Sequence, residues 1–280
     1  MRRHFDELLL PYVNAPSLNP SAAPAAAFYD RVWTDWGHLD ARSPASFHRR
    51  RELVRLVREH ARSSRRMLEV GCGQGALLQK LAREFPLSLV HGADVSEESL
   101  ARVRARCPQA TLFQLDIDSP YFDEQATPWL GAFDLVVASE VLEHLSNDRV
   151  ALERLSRLLA PNGKLIVSVP AGERTRFDRA IGHLRHYTEA QLADKLCEAG
   201  FHVERVFAWG FPFHSFYRFG VKWAARATLR LDGSPRKPSS TAPNGFLSAA
   251  YRFVSLGLTP LYLLNSSRSG PQLFATARKE

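Results

Sequence analysis

The chain has 280 residues, 45% of them hydrophobic and 24% charged, a composition typical of a globular protein with one large domain. The formal charge of +8 permits anionic partners, but the arginines are scattered through helical stretches without interleaved glycines and aromatics, which argues against nucleic acid. The three cysteines are widely spaced, which argues against a disulfide framework and a cysteine zinc site. The chain starts with only three consecutive leucines, too few for a secretory leader. Both features predict a cytoplasmic protein.

The N-terminal part divides into two segments. Residues 1–27 are rich in alanine, proline, serine and asparagine, which predicts a mobile or loosely docked arm. Aromatic residues then recur at spacings of three and four, which predicts a helical segment over residues 28–64. This segment either packs its aromatic face on the main body or forms a lid over a ligand. As a lid it would bring Tyr29 and Trp33 into contact with the substrate.

Short apolar runs alternate with amphipathic helical patterns over residues 65–210. This alternation is typical of βαβ units, in which a parallel sheet carries helices on both faces. The predicted strands are "MLEVG", "LSLVHGAD", "ATLFQLD", "FDLVVAS", "KLIVSVP" and "HVERVFAWG". Thr188 and Gln191 have the spacing of a capping box, so a helix is predicted to begin there and to stop at Gly200.

Residues 211–270 break the alternating pattern and are predicted to be an insertion that covers the substrate. Within it, residues 232–245 are rich in proline, serine and glycine, which predicts a flexible loop. Aromatic residues favour an apolar or aromatic substrate, although a segment wrapped on the core would have the same composition. These aromatic residues are Phe211, Phe213, Phe216, Tyr217 and Trp223.

The end of the chain has two further features. The apolar segment 246–265 is interrupted by Arg252, Gly257 and Pro260, so it is predicted to cover the domain, with peripheral membrane contact as the alternative. Residues 271–280 include "PQLFATARK", which predicts one more strand.

The strongest ligand signal is "LEVGCGQGALL", in which a buried strand runs through a glycine loop into a helix. Gly71, Gly73 and Gly75 allow the backbone to approach a ligand closely and to adopt positive φ angles. The same spacing also satisfies a dinucleotide fingerprint, so the glycines alone do not identify the ligand.

Three acids distinguish between the candidate ligands. Glu69, two residues before the first glycine, would repel a pyrophosphate and attract a cation. Asp94 ends the second strand and can accept hydrogen bonds from ribose hydroxyls, while Asp116 ends the third and can accept from an adenine amino group. Together they predict a cationic adenosine ligand without phosphates, with helix N-capping as the structural alternative for Asp94 and Asp116.

From Met67 to Phe207 the chain resembles the class I S-adenosylmethionine-dependent methyltransferases. The resemblance rests on the glycine loop, on Asp94 and Asp116, and on "FDLVVASEVLEHL" and "LLAPNGKLIVSVP", which occur in the family's order and spacing. It implies an α/β, Rossmann-like fold: a seven-stranded mixed sheet with helices on both faces, whose last strand, here 271–280, runs antiparallel beside the fifth. Residues 65–210 would form the cofactor-binding core, and the helical insertion would precede the last strand.

The resemblance also implies the cofactor, S-adenosylmethionine, and the residues that hold it. These are Glu69 and the backbone of Gly71, Gly73 and Gly75 for the methionine end, Asp94 for the ribose, Asp116 with the Ile117 backbone for the adenine, and Ser139 with Glu140 near the sulfonium.

The segment "SEVLEHL" places Glu140, Glu143 and His144 directly after the fourth strand, and a helical turn starting at Glu140 would put all three on one face. They could hold a divalent metal ion, as similar segments imply in ubiquinone-biosynthesis O-methyltransferases and small-RNA 2′-O-methyltransferases. His144 could instead orient the acceptor or act as a base without metal, which is the favoured interpretation. Packing and helix-start polarity are the third.

A second cluster, "GHLRHYTEAQL", follows the fifth strand and resembles a "GHxRxYT" segment of bacterial methyltransferases. His183 could act as a base or as a further metal ligand, and Arg185 could bind an acidic group of the substrate. The alternative is a loop that braces the following helix. The predicted catalytic residues are therefore His144, His183 and Glu140.

These features predict an enzyme that moves a methyl group from S-adenosylmethionine to O, N or C of a small, apolar or aromatic acceptor. One alternative is an RNA methyltransferase, which would need a basic face around the pocket. The other is a non-catalytic cofactor-binding subunit or membrane-surface module.

Overall fold

The computed structural model of the protein describes residues 26–27, 29–30, 43–175, 178–179, 182–219, 260–266 and 268–280. Of the predicted arm 1–27, only residues 26 and 27 are described. Trp33, the predicted loop 232–245 and residues 246–259 of the predicted apolar segment lie outside the described residues. The boundaries proposed for the five segments of the chain stay predictions.

Seven strands form one mixed sheet in the order β3-β2-β1-β4-β5-β7-β6. The first five pair in parallel, and β7 runs antiparallel between β5 and β6. The predicted seven-stranded sheet with an antiparallel last strand beside the fifth is confirmed. The strands are β1 (Arg66–Val70), β2 (Leu89–Asp94), β3 (Thr111–Gln114), β4 (Phe133–Ser139), β5 (Leu159–Pro170), β6 (Phe201–Trp209) and β7 (Gln272–Lys279).

Helices cover both faces of this sheet. One apolar cluster joins α4, α5 and α6 to one face, and a second joins α1, α2 and α3 to the other. The sequence of β4 is almost continuously apolar because successive side chains point to opposite faces of the sheet and both faces are covered by helices. Val136 and Ala138 belong to the first cluster, and Leu135 and Val137 to the second. The helices are α1 (Pro44–His60), α2 (Ala76–Glu84), α3 (Glu97–Arg106), α4 (Phe122–Ala126), α5 (Asp148–Leu158) and α6 (Glu189–Glu198).

The capping box predicted at the start of α6 is confirmed. The Thr188 hydroxyl accepts from the Gln191 amide at 3.2 Å, and the Gln191 side-chain oxygen accepts from the Thr188 amide at 3.0 Å, which is a complete capping box. At α1, Ser43 has extended backbone angles and caps the helix that begins at Pro44. The structure does not describe residues 31–42, and the helical segment 28–64 stays a prediction.

The start of the predicted insertion packs partly on the core. Residues 213–219 are helical, and Phe213 and Tyr217 lie against the apolar cluster that contains α1. Phe211 and Phe216 are 53% and 68% exposed. Within the part of the chain that the structure describes, no helix has the length and apolar character needed to cross a bilayer.

Tyr187 ties the loop before α6 to the first turn of α5. Its hydroxyl donates to Asp148 Oδ2 at 2.9 Å, and the Lys195 ammonium donates to Asp148 Oδ1 at 2.9 Å. Asp148 is only 5% exposed, so these protein donors replace the hydrogen bonds that water would make to its carboxylate.

We expect Tyr187→Phe to lower the free energy of unfolding by about 1–3 kcal/mol, because the Asp148 carboxylate loses a buried donor. The matched control is Tyr121→Phe at a 63% exposed tyrosine, which should change it by less than about 0.5 kcal/mol. Urea unfolding followed by circular dichroism measures both. Equal effects in the two variants would contradict a structural role for the Tyr187 hydroxyl.

Candidate active site

The candidate site lies at the carboxyl ends of β1, β2 and β4. β1 is flanked by β2 on one side and β4 on the other, so the loops that follow the three strands meet at one edge of the sheet. The chain leaves β1 and β4 in opposite lateral directions, and ligands of open α/β sheets bind at such a switch point. The predicted glycine loop, the predicted ribose acid and the "SEVLEHL" segment are thereby brought together.

The glycine loop cannot carry side chains at two of its positions. Gly71 and Gly75 have φ angles of +69° and +73°, which L side chains rarely adopt. A Cβ atom on Gly71 would lie 2.5 Å from Val141 Cγ2, and one on Gly75 would lie 2.8 Å from Val103 Cγ1. The loop therefore touches both the segment after β4 and the helix after β2, and glycine is required by contact as well as by conformation.

Asp94 holds this loop in shape. Its Oδ2 accepts from the Gly73 amide at 2.8 Å and its Oδ1 from the Ser96 amide at 3.0 Å, and the residue is 5% exposed. Burial raises the pKa of this carboxyl, while the amide donors oppose that rise. The N-cap of α3 is Ser96, whose hydroxyl accepts from the Ser99 amide at 3.0 Å. Helix capping therefore does not explain Asp94.

The electrostatic field around the loop is negative. Glu69 is 4% exposed within β1. The pKa of the Cys72 thiol, which lies between the two acids in sequence, is raised well above its usual value by burial and then by Asp94 and Glu69. The part of this rise that comes from the two carboxylates reflects negative charge, and negative charge favours a cation such as a sulfonium.

The predicted adenine residues follow β3 in a tight loop. Asp116 Oδ1 accepts from the Asp118 amide at 2.9 Å, and the Asp116 amide donates to Gln125 Oε1 at 3.0 Å. The Ile117 carbonyl accepts from Arg154 at 2.7 Å, and Ile117 is buried. The N-cap of the next helix is Tyr121, so Asp116 is not its cap. Contact of Asp116 and Ile117 with adenine stays a prediction.

Residues from the N-terminal segment reach this site. Asp30 Oδ1 accepts from the Ser96 hydroxyl at 2.5 Å, which places it beside the end of β2. The Tyr29 ring lies 5.9 Å from the His144 ring in an edge-to-face arrangement. Burial raises the pKa of Tyr29, and Glu143 and the acids after β2 and β3 add to the rise. Tyr29 is thus close to the "SEVLEHL" segment, and its role as a lid residue in contact with substrate stays a prediction.

The predicted helical turn that starts at Glu140 is not formed. Glu140 has a φ angle of +57°, and a short 3₁₀ turn begins only at Leu142. Its carboxylate is directed to other partners: Gln272 Nε2 donates to Oε1 at 2.7 Å, and Arg49 Nη1 lies 3.6 Å from Oε2. Glu140 therefore does not share a face with Glu143, because the left-handed residue reverses the chain before the turn begins.

His183, predicted as a base or as a further metal ligand, lies with Glu143 and His144. Ligand atoms of Glu143, His144 and His183 lie within 4.8 Å of one another. Glu143 is 0% exposed, and within the described parts of the chain neither of its carboxyl oxygens has a hydrogen-bond partner. Burial raises the pKa of Glu143 well above its usual value, and the nearby Glu140 raises it further.

His144 presents a neutral imidazole to this cluster. Its Nδ1 lies 3.2 Å from the Gly182 carbonyl, which can only accept, so Nδ1 carries the proton and Nε2 keeps its lone pair. Burial lowers the pKa of His144 to about 4. Its ring stands perpendicular to that of His183 at 4.8 Å between centroids.

The remaining predicted site residues lie farther from this cluster or have other partners. The Ser139 hydroxyl is hydrogen-bonded to that of Ser168 at 3.0 Å, at the ends of β4 and β5. Arg185 donates to the Ser146 carbonyl at 2.9 Å and lies 3.4 Å from Asp148 Oδ1, so it braces the start of α5. Its predicted contact with a substrate acid stays a prediction.

Sequence reasoning missed three participants. His186 contacts His183, and its only sequence signal was the three-residue spacing within "HLRHYT". Arg49 and Gln272 come from α1 and β7, far from Glu140 in the chain, and no local pattern marks them. They are found only when the sheet order is known.

A family model described as a methyltransferase domain matches residues 29–206, more than half of the chain. The chain therefore belongs to this family, and the predicted class I S-adenosylmethionine-dependent methyltransferase is confirmed together with its cofactor, S-adenosylmethionine. The match starts at Tyr29 and thus includes the N-terminal segment that reaches the site.

Several relatives are named for the methyl transfer that they catalyse. A trans-aconitate 2-methyltransferase of Methylobacterium radiotolerans is 29% identical over 249 residues, which cover 80% of this chain and 90% of that protein. A ubiquinone biosynthesis O-methyltransferase of Cronobacter sakazakii is 32% identical over 104 residues, 37% of this chain and 42% of that protein. Three further relatives are 33–34% identical, and the chain spans about half of their length, 42–59%.

A solved structure shares the fold. The phosphoethanolamine N-methyltransferase 2 of Haemonchus contortus, in complex with S-adenosyl-L-methionine, superimposes with a TM-score of 0.59. It is 19% identical and covers 92% of this chain and 60% of that chain.

We expect Gly71→Ala to weaken binding of S-adenosylhomocysteine by about tenfold or more, because the new Cβ would press on Val141 and displace the loop. The control is Gly131→Ala, which has a similar φ of +65° but nothing within 4 Å of its Cβ. Both variants should lose about 1–2 kcal/mol of stability through the left-handed backbone. Calorimetric titration measures binding, and equal affinity in the two variants would contradict the proposed role of the loop contact.

Proposed function

We propose that this protein transfers a methyl group from S-adenosylmethionine to an oxygen atom of a small acceptor, which is oriented by His144 and deprotonated by His183. The observation that carries the proposal is a pair of imidazoles, half-buried His144 and buried His183, whose ring centroids lie 4.8 Å apart in the segments that follow β4 and β5. Val141, three residues before His144, lies against the glycine loop, so the pair is adjacent to the predicted cofactor site.

The reaction needs alignment more than activation. The methyl carbon of S-adenosylmethionine is already electrophilic because it is bonded to a positive sulfur, and an in-line attack by the acceptor oxygen breaks the S–C bond to give a neutral thioether. The protein supplies a negative field for the cation and a site that excludes water. Tyr29 and Asp30 lie across this edge of the sheet, which supports their role as part of a lid.

The two histidines have different parts in the proposal. With a pKa of about 4, His144 is neutral at neutral pH and is a weak base, so its Nε2 is suited to accept a hydrogen bond from the acceptor hydroxyl. His183 receives the proton as the O–CH₃ bond forms. A hydroxyl acceptor needs this proton removal, whereas a carboxylate acceptor would need only the orienting contact.

The class of acceptor is proposed from several observations. A relative is named as an O-methyltransferase, which supports oxygen as the receiving atom. The exposed Phe211 and Phe216 support an apolar or aromatic acceptor, while Phe213 and Tyr217 are accounted for by core packing.

Metal-assisted transfer is the second candidate, and Glu143 favours it. A fully buried carboxyl group, without a hydrogen-bond partner for either oxygen in the described part of the chain, would be satisfied by a cation. Glu143, His144 and His183 fit a divalent ion as one carboxylate and two imidazoles. An ion held there would orient the acceptor oxygen and lower its pKa.

We expect His144→Ala and His183→Ala each to lower turnover with a hydroxyl acceptor by about 10²–10⁴-fold while S-adenosylhomocysteine still binds. Acceptors are found by incubating cell extracts with labelled S-adenosylmethionine, and His202→Ala, at an exposed position on β6, is the control. Asp94→Ala should instead lose cofactor binding. Unchanged turnover in both active-site histidine variants would overturn the proposal.

Metal analysis of the purified protein separates the two candidates. A stoichiometric divalent metal that is absent from Glu143→Gln, together with turnover that EDTA abolishes, would establish the metal-assisted route. Turnover that persists in EDTA with a metal-free protein would establish the route through the histidines alone.

A further inference from the structure

A chain of hydrogen bonds starts at Nδ1 of His183. His183 Nδ1 is 2.9 Å from His186 Nε2, and His186 Nδ1 is 3.2 Å from the Gly172 carbonyl oxygen. The chain therefore runs from one imidazole through a second to the backbone after β5.

His186 Nε2 also lies 3.9 Å from Asp178 Oδ1, which is beyond hydrogen-bond distance. With both imidazoles neutral, the chain has one consistent set of protons. The Gly172 oxygen can only accept, so Nδ1 of His186 carries a proton and donates it. In a neutral imidazole the other nitrogen is then an acceptor, so His186 Nε2 accepts from His183 Nδ1–H. Neutral His183 is thereby left with its proton on Nδ1 and a lone pair on Nε2.

We propose that His186 is a positioning residue that holds His183 in the Nδ1–H tautomer and so presents the His183 Nε2 lone pair to the acceptor site. The same arrangement exists at His144, where Nδ1–H is held by the Gly182 carbonyl. Both imidazoles of the pair therefore have their protons on Nδ1. A hydrogen bond of this kind at one ring nitrogen fixes both the tautomer and the orientation of a functional imidazole.

The surroundings make the arrangement rigid. The side chain of His186 is 2% exposed and His183 is 7% exposed, so water has little access to the bond between them. The backbone of His183 is held on both sides, because its amide donates to the Asp178 carbonyl at 2.9 Å and its carbonyl accepts from Arg174 at 2.9 Å. The next amide, that of Leu184, donates to the Glu143 carbonyl at 2.7 Å and joins this loop to the turn that carries His144.

A second metal site at Asp178, His183 and His186 is the alternative, since their ligand atoms also lie within 4.8 Å of one another. The partners of Asp178 argue against it. Its Oδ2 accepts from both the amide and the hydroxyl of Thr175 at 2.7 Å, and Arg218 Nη2 lies 3.4 Å from its Oδ1. A carboxylate that already has two donors and a guanidinium is a poor ligand for a cation.

The inference rests on the proposed function in one respect, since the orientation of His183 matters for catalysis only if His183 receives the acceptor proton. The tautomer itself can be measured without any turnover. The two hypotheses can therefore fail independently.

The experiment is a long-range ¹H–¹⁵N correlation spectrum of the full chain labelled with ¹⁵N-histidine, near pH 7.5 and without added metal. His183→Gln assigns the resonances of His183. We expect His183 to show a protonated Nδ1 and an unprotonated Nε2. In His186→Phe this preference should be lost, and in His186→Gln it should be retained, because the glutamine oxygen can accept from Nδ1–H as His186 Nε2 does.

Turnover gives the second readout. We expect His186→Phe to lower kcat by about 10–100-fold with little change in KM, and His186→Gln to recover part of the loss. A proton on His183 Nε2 in the unmodified protein, or an unchanged tautomer in His186→Phe, would overturn the inference. The first of these results is read in the unmodified protein, with His183→Gln used only for assignment. The expected tautomers combined with turnover that is insensitive to His183→Ala would support the positioning role and overturn only the proposed function.

Discussion

The site depends on the hydrogen bond that the Gly73 amide donates to the buried carboxylate of Asp94. This 2.8 Å contact joins the loop after β1 to the end of β2, while Gly71 in the same loop lies against Val141 after β4. Three neighbouring strands are thereby connected at one edge of the sheet. A carboxylate that braces the loop from within also makes the site negative, which favours a sulfonium cofactor over a pyrophosphate.

The features that the sequence predicts well are those encoded locally. The buried strands, the glycine loop and the Thr188 capping box each depend on the spacing of a few nearby residues, and each is present in the structure. The antiparallel last strand was predicted through the family resemblance. The structure confirms it through the antiparallel pairing of β7 with β5, beyond the residues 29–206 that the family model matches.

The features that the sequence did not predict depend on contacts between distant segments or on unusual backbone angles. A positive φ at a glutamate is rare, so the reversal at Glu140 could not be expected, and helical periodicity placed its side chain wrongly. Its partners Arg49 and Gln272 come from the two ends of the described chain. The contact between His144 and His183 arises because the loop after β5 is hydrogen-bonded to the turn after β4, and composition carries no signal for that.

The central claim is that a cationic sulfur nucleoside binds along the glycine loop with its ribose at Asp94. A crystal structure of the protein with S-adenosylmethionine tests it most directly. The ribose hydroxyls should lie within hydrogen-bond distance of the Asp94 carboxylate, with the methyl group directed towards the imidazoles of His144 and His183. A nucleoside bound elsewhere, or one whose methyl group points away from both histidines, would contradict the claim.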